Sequence, residues 1–281
     1  MSFSLVPGFA QRYPKDDDNN PSAAPDERHS RLDLESDSGG TPSSIPDDRH
    51  TRPDRASLFI ETCCTTLEQA RSAESRGAGR IELCVDLSVG GVTPPRDLIR
   101  EVVASLTIPV NVLIRPDRHS RLDRESQTPD QVGAGGFSAA DFVYDEVDLQ
   151  QMIDDIGYCK SVGVAGIVVG ALTPEGAIDL PAMRRLVAAA RPLPVTFHRA
   201  FDVCTDDPFT ALDKLIALGC SRLLSSGQAP TAWDGRNVLT LLVRRAGPRL
   251  IVMPGCGITP DNLPALASAT RALEFHGTRI P

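Results

Sequence analysis

Short apolar runs alternate with longer amphipathic segments from residue 57 onward. The short runs are rich in Val, Ile, Leu and Phe, which is typical of buried strands, and the segments between them have helical spacing. Pro, Gly, Thr and Asp stand where the segments begin and end. The predicted strands are 58–62, 80–84, 109–114, 165–170, 194–197, 221–225, 249–253 and 271–275, and the predicted helices are about 65–76, 95–105, 146–162, 180–191, 207–218, 232–246 and 260–269.

Eight strands with seven intervening helices predict an α/β fold, a (β/α)8 TIM barrel. In the first strand Leu58 and Ile60 face one side while Glu61 and Cys63 face the other, and three further strands separate apolar from polar residues in the same way. An open parallel sheet is apolar on both faces, so one polar face indicates a barrel lumen. The sequence stops shortly after the last strand, so the eighth helix is expected to be missing. We expect either a homo-oligomer that covers the seam or a marginally stable barrel.

Two segments fall outside this pattern. Residues 1–56 are rich in Pro, Ser, Asp and Arg and predict a disordered, low-complexity tail before a domain that spans 57–281. The hexapeptide Arg-His-Ser-Arg-Leu-Asp at 28–33 recurs at 118–123, where it lies in an insertion over about 117–138. The repeat is either a docking or phosphorylation motif or low-complexity sequence without a role in the fold, and its composition favours the second interpretation.

Composition narrows the class of protein. The net charge is −8, and about half of it belongs to the first 55 residues, which hold 11 acidic and 7 basic side chains. The remaining chain is mildly acidic, which argues against a nucleic-acid partner. No apolar run approaches the roughly 18 residues of a membrane span, and the N-terminus lacks the pattern of a signal peptide. Seven cysteines, an odd number, suit a reducing compartment. We expect a cytoplasmic protein without a membrane partner.

Candidate chemistry collects at the C-terminal ends of the predicted strands, the edge where TIM barrels hold their active sites. Three of the five histidines (His29, His50 and His119) lie in charged low-complexity segments, whereas His198 and His276 each end a strand. We expect these inward-facing groups at the C-terminal rim: Glu61, Cys63, Glu82, Cys84, Arg115, His198, Glu274 and His276.

These groups permit two kinds of site. Cys63 and Cys84 lie on adjacent strands, which are spaced about 4.8 Å apart, so both thiolates can reach one ion. Thiolates are soft ligands that favour Cu(I). Cys64 is expected to point to the opposite face. This interpretation makes Cys63 and Cys84 a metal site and a copper ion the partner.

The second kind of site is catalytic. His198 is the candidate general acid or base, assisted by Glu61, Glu82 or Glu274, and Arg115 and Arg199 are expected to hold a small anionic ligand. Backbone N–H groups of the loops after strands six and seven either cradle that anion or only form tight turns. Further candidates for substrate binding are Ser226, Gly227, Gly255, Gly257 and His276. The only lysines are Lys15, Lys160 and Lys214, so a Schiff-base mechanism is not expected.

Several motifs resemble those of the CutC family, known as copper homeostasis proteins, and they follow the family order over about 57–277. They are Ile-Glu-Thr-Cys-Cys at 60–64, Gly-Arg-Ile-Glu-Leu-Cys at 79–84, Thr-Phe-His-Arg-Ala-Phe-Asp at 196–202 and Glu-Phe-His at 274–276. The resemblance implies a TIM barrel and a cytosolic role in copper handling. It also implies Cu(I) binding by two cysteines on the first two strands, which match Cys63 and Cys84.

The sequence departs from the family pattern in the insertion, in Ser225 where threonine is usual, in the absent C-terminal segment and at Cys256. Cys256 replaces a glycine in a Pro-Gly-Gly-Gly turn. We expect a copper-homeostasis protein that binds Cu(I). One alternative is an enzyme (a lyase, isomerase or hydrolase) that acts on a small anionic substrate. The other is an inactive paralogue.

Overall fold

The structure of the protein, a computed structural model, describes residues 58–117, 137–278 and 280. The predicted tail over 1–56 lies outside the described residues, as does most of the predicted insertion over about 117–138. Within the described ranges, no helix combines the length and the apolar character that crossing a bilayer requires.

Strands and helices alternate along the described chain. The strands are β1 (Phe59–Cys64), β2 (Arg80–Leu83), β3 (Val110–Leu113), β4 (Gly166–Val169), β5 (Val195–Phe197), β6 (Arg222–Ser225), β7 (Ile251–Pro254) and β8 (Glu274–Gly277). The α-helices are α1 (Leu67–Ser75), α2 (Arg96–Ser105), α3 (Glu146–Val162), α4 (Leu180–Ala190), α5 (Pro208–Leu218), α6 (Arg236–Ala246) and α7 (Leu263–Thr270). Among the described residues no α-helix follows β8.

The strands form one parallel sheet in the order β7-β6-β5-β4-β3-β2-β1-β8. A parallel bridge between Gly255, directly after β7, and His276 of β8 brings the two edges together. The predicted TIM barrel with seven helices is therefore confirmed. Because all eight strands are parallel, their C-terminal ends share one rim. The homo-oligomer expected from the missing helix stays a prediction.

Local signals explain where most elements begin and end. The side chain of Asp145 accepts the N–H of Asp148 and starts α3, and Gly163, with φ of +81°, ends it. Three elements begin three or four residues later than predicted: α6 at Arg236 instead of about 232, α7 at Leu263 instead of about 260, and β8 at Glu274 instead of 271. Arg271 has a left-handed backbone (φ +59°) and caps the C-terminus of α7, so the chain turns there before it can enter the strand.

The two faces of the strands belong to different apolar clusters. Cys64, Ile81 and most other large apolar residues pack between the sheet and the surrounding helices. A small separate cluster of Cys63, Cys84, Leu113 and Val168 lies inside the barrel. Side chains alternate along a strand, so neighbouring residues Cys63 and Cys64 must face opposite sides. The structure confirms this predicted parity and places Cys63 in the lumen.

Candidate functional site in the barrel lumen

An ion-pair network occupies the lower part of the lumen, toward the N-terminal ends of the strands. Arg80 contacts Oε2 of Glu61 through Nε, and its Nη2 lies 2.7 Å from Oε2 of Glu274. Arg222 Nε lies 2.9 Å from the same Glu274 oxygen, and Asn111 Nδ2 donates to Glu61 at 3.1 Å. Two carboxylates face two guanidiniums, so the four charges balance. We call these five residues the lower layer.

The structure places Glu61 and Glu274 in the lower layer, whereas the sequence predicted both at the C-terminal rim. Glu274 is the first residue of β8 and lies at the opposite end of the strand from that rim. Neither side chain lines the cavity described below. Sequence reasoning missed Arg80, Arg222 and Asn111 as partners. A usable signal existed for Arg80, which shares its strand face with Glu82 two residues later.

A cavity of about 470 Å³ opens above the lower layer, at the C-terminal ends of the strands. Apolar side chains, including Leu87, Phe137, Phe142 and Ile258, form much of its wall. Eight of the predicted site residues line it: Cys63, Glu82, Cys84, Arg115, His198, Arg199, Gly257 and His276. Ser226, Gly227 and Gly255 do not line it. Apolar walls with a few convergent polar groups are typical of small-ligand sites.

The two thiols lie side by side at the boundary of the cavity. Sγ of Cys63 and Sγ of Cys84 are 3.3 Å apart, and both residues are buried. The hydrogen bond with Cys84, burial, and the charge of Glu82 together raise the pKa of the Cys63 thiol well above its usual value. Cys63 is therefore protonated at neutral pH, and a metal ion that binds there must displace its proton.

His276 and Glu82 form an ion pair beside the thiols. Nε2 of His276 lies 2.5 Å from Oε2 of Glu82 and 4.0 Å from Oε1 of Glu61. The two closest atoms touch without the alignment of a hydrogen bond. Burial opposes the imidazolium, but the negative charges of Glu82 and Glu61 outweigh it and raise the pKa of His276. The pair can therefore hold a proton or accept another cation.

His198 has the opposite electrostatic environment. Its Nδ1 accepts the backbone N–H of Ala200 at 3.2 Å, which leaves the proton of the neutral ring on Nε2. Burial, followed by the charges of Arg115 and Arg199, lowers the pKa of His198 to about 3. A Cβ at Gly170 would lie 2.5 Å from this ring, so only glycine fits beneath it. At neutral pH His198 is therefore uncharged, with an Nε2–H that can donate a hydrogen bond, and its role as general acid or base stays a prediction.

Replacing His198 with glutamine should make the free energy of unfolding depend less steeply on pH in the acidic range. The folded state keeps His198 neutral down to a pKa of about 3, whereas the unfolded chain protonates near the model value of 6.5. Its stabilising contribution is thus complete above pH 6.5 and is lost as the pH falls toward 3. Between pH 6 and 4 the wild type should lose about 1.4 kcal/mol more per pH unit than His198→Gln, measured by urea unfolding. Parallel curves would contradict this.

Two arginines give the cavity positive charge. Arg115 Nη1 donates to the carbonyl oxygens of Val89 at 2.7 Å and Gly91 at 2.9 Å, and the guanidinium stacks 5.0 Å from the ring of Phe142. Arg199 Nε lies 2.8 Å from Oδ2 of Asp202. Both guanidiniums are held in place by the protein and face the cavity, which suits recognition of an anion.

Asp202 occupies the backbone N–H groups that the sequence suggested for an anion. The N–H groups of Ser226 and Gln228 donate to its carboxylate at 3.0 and 3.2 Å, and the Ser225 hydroxyl donates at 2.6 Å. The N–H of Gly227 donates to Ser225 Oγ at 2.8 Å. The loop after β6 is therefore filled by an internal carboxylate instead of offering these donors to a ligand.

Comparisons with known proteins agree with this architecture. A sequence profile described as the CutC family matches residues 58–123 and 137–280. The chain belongs to the CutC family. The family protein CutC of Parabacteroides distasonis is 44% identical over 218 residues, which cover 77% of this chain and 81% of that protein. The CutC of Histophilus somni is 41% identical over 217 residues, 77% of this chain and 80% of that protein.

A solved CutC structure shows the same fold. The crystal structure of CutC from Streptococcus agalactiae, a protein named for a proposed role in copper homeostasis, superposes with a TM-score of 0.67. The two chains are 29% identical, and the match covers 80% of this chain and all of that one. The CutC profile leaves residues 124–136 unmatched, inside the segment predicted to be an insertion.

Cys256 has a left-handed backbone, with φ of +82°, the conformation that favours glycine. A side chain in this region costs about 1–2 kcal/mol, part of which the greater freedom of an unfolded glycine offsets. Cys256→Gly should therefore raise the free energy of unfolding by about 1 kcal/mol, measured by chemical denaturation. Cys256→Ala keeps the Cβ and is the matched control that should show no gain. Equal stabilisation by both variants would contradict the strain argument.

Proposed function

We propose that this CutC protein binds Cu(I) through Cys63 and Cys84 and serves in copper handling in the cytosol. The observation that supports the proposal is the 3.3 Å separation of the two sulfur atoms inside the barrel. Soft thiolate pairs favour Cu(I) over harder divalent ions. The name of the Streptococcus agalactiae relative, which refers to copper homeostasis, points in the same direction.

The surroundings of the two thiols restrict access to the proposed Cu(I) site. Leu113 and Val168 form one buried apolar cluster with the two cysteines, and this apolar surrounding limits the access of water and of competing hard ligands. The cavity reaches the sulfur atoms from the C-terminal rim, which supplies a path for entry. Binding must release the proton of Cys63, whose thiol pKa is raised, so affinity should increase with pH.

An anaerobic Cu(I) titration against a competing chromophoric chelator tests this function. The wild type should bind one Cu(I) per chain, and Cys63→Ser/Cys84→Ser should weaken binding at least 100-fold because both soft ligands are gone. Cys64→Ser is the matched control, since this neighbouring buried thiol faces the outer core. It should keep wild-type affinity. Binding retained by the double variant would refute the assignment.

The cavity favours a second candidate function, an enzyme that acts on a small anionic substrate. Arg115 and Arg199 supply positive charge, the His276–Glu82 pair can transfer a proton, and neutral His198 can donate a hydrogen bond. The reaction class is that of a lyase, isomerase or hydrolase. A thermal-shift screen of small carboxylates and phosphates should then find a ligand whose effect disappears in Arg115→Met but persists in Cys63→Ser/Cys84→Ser. The reverse pattern would leave only the copper function.

A further inference from the structure

A second set of donor atoms converges beside the thiols. Oε1 of Glu61, Oε2 of Glu82 and Nε2 of His276 all lie within 4.8 Å of one another. They come from three adjacent strands, with β1 in the middle, and Glu61 pairs directly with His276 in the β1–β8 register. One imidazole and two carboxylates are a common ligand set for a divalent metal ion.

These donor atoms lack partners that would explain their burial. Glu61 is fully buried, and its Oε2 is held by Arg80 and Asn111, but its Oε1 accepts no hydrogen bond from any described residue. A proton on His276 would offset the charge of Glu82 at 2.5 Å, yet it would leave Glu61 Oε1 at 4.0 Å without a donor. Buried carboxylate oxygens without partners are rare because desolvating them is costly. A shared cation would satisfy all three atoms.

We propose that Glu61, Glu82 and His276 bind a divalent transition-metal ion, separate from the Cys63–Cys84 pair. Metal–ligand bonds of about 2.1 Å require ligand atoms about 3.0–3.4 Å apart. The observed 2.5 and 4.0 Å separations lie on either side of this range, so small side-chain rotations are enough. Arg80 and Asn111 fix the Glu61 carboxylate from behind, as residues around metal ligands generally do.

The position of the site gives it an open side. Glu82 and His276 line the cavity, whereas Glu61 closes the site from below. Three protein ligands and an exposed face leave room for a water molecule or a substrate oxygen on the metal. Arg80 and Arg222 neutralise Glu61 and Glu274, so the negative charge that attracts the cation comes mainly from Glu82. This balance predicts moderate, micromolar affinity.

Titration with Mn²⁺ separates this site from the thiols, because Mn²⁺ prefers oxygen and nitrogen ligands to thiolates. Protein freed of metal by chelation is titrated with Mn²⁺ alone, and free Mn²⁺ is read by electron paramagnetic resonance. The wild type and Cys63→Ser/Cys84→Ser should both bind one Mn²⁺ with affinities within about twofold. Glu82→Gln and His276→Gln should weaken binding at least 100-fold. The exposed Glu101→Gln is the matched control and should bind like the wild type.

Each alternative outcome overturns the proposal. Absence of saturable Mn²⁺ binding would show that the three side chains form only an ion pair. Unchanged affinity in Glu82→Gln, or loss of affinity in the cysteine double variant, would place the metal elsewhere. Because the glutamine variants could misfold, a wild-type crystal soaked in Mn²⁺ gives an independent measure. An anomalous peak among Glu61, Glu82 and His276 would support the site, and a peak elsewhere would refute it. The Cu(I) titration on the same proteins reports the thiol site separately.

Discussion

Arg80→Met should lower the free energy of unfolding by about 3–5 kcal/mol, the usual effect of removing one member of a buried ion pair. Arg80 is only 4% exposed, and it is the shared partner of Glu61 and Glu274 in the lower layer. Methionine keeps most of the aliphatic volume against Phe59 but leaves the buried charge of Glu61 without a guanidinium. The expected fall in Tm is roughly 10 °C, measured by circular dichroism.

An ion pair on the surface provides the control for the Arg80→Met variant. Arg100 and Asp97 also form an ion pair, at 2.7 Å, but both side chains are well exposed. Arg100→Met should therefore change stability by less than about 0.5 kcal/mol. Adding Glu61→Gln to Arg80→Met should recover part of the loss, because it removes the unpaired charge. A loss below about 1 kcal/mol in Arg80→Met would contradict the structural role of the lower layer.

The second large effect is expected at Asp202. Its fully buried carboxylate binds Arg199, the hydroxyl of Ser225 and the N–H groups of Ser226 and Gln228. Asp202→Ala leaves the hydroxyl and N–H donors without this acceptor and removes the ion pair of Arg199, so we expect a loss of about 3–5 kcal/mol in urea unfolding.

Asp207 provides the comparison, since it is an aspartate in the same region with an ordinary capping role. It accepts the N–H groups of Phe209 and Thr210 at the start of α5. Asp207→Ala should cost about 1 kcal/mol, the usual value for an N-cap. If the two variants lose equal stability, the Asp202 carboxylate is no more than a local cap, and the organisation of the β6 loop has another source.

The lumen combines a stabilising part and a reactive part on the same strands. The lower layer consists of paired charges that hold the strands together, whereas the cavity above it exposes groups whose charges are less completely compensated. Glu61 belongs to both parts, since one oxygen binds Arg80 and the other faces His276. Substitutions at Glu61 will therefore affect both stability and any metal site. For this reason Glu82 and His276 are the better positions at which to test function.

Which residues face the lumen was predictable because side chains alternate along a strand with a period of two. Glu61, Cys63, Glu82, Cys84, His198 and His276 all face inward as expected. How far along the barrel axis each inward-facing side chain lies was not predictable in this way. Glu274 and His276 share a face, but two residues span about 6.6 Å along a strand. That distance places Glu274 in the lower layer and His276 at the cavity.

The sequence by itself determined the family, the barrel and the inward faces of its strands, because motifs, periodicity and parity are local properties of the chain. Only the tertiary structure decided which charges meet. Asp202 reaches N–H groups 24 and 26 residues away, and Arg80 reaches Glu274 across 194 residues. The neutral state of His198 and the raised pKa of His276 also depend on such contacts. The charge around each side chain is the sum over groups that are distant in sequence and that meet only when the barrel closes. A local sequence pattern therefore cannot predict it.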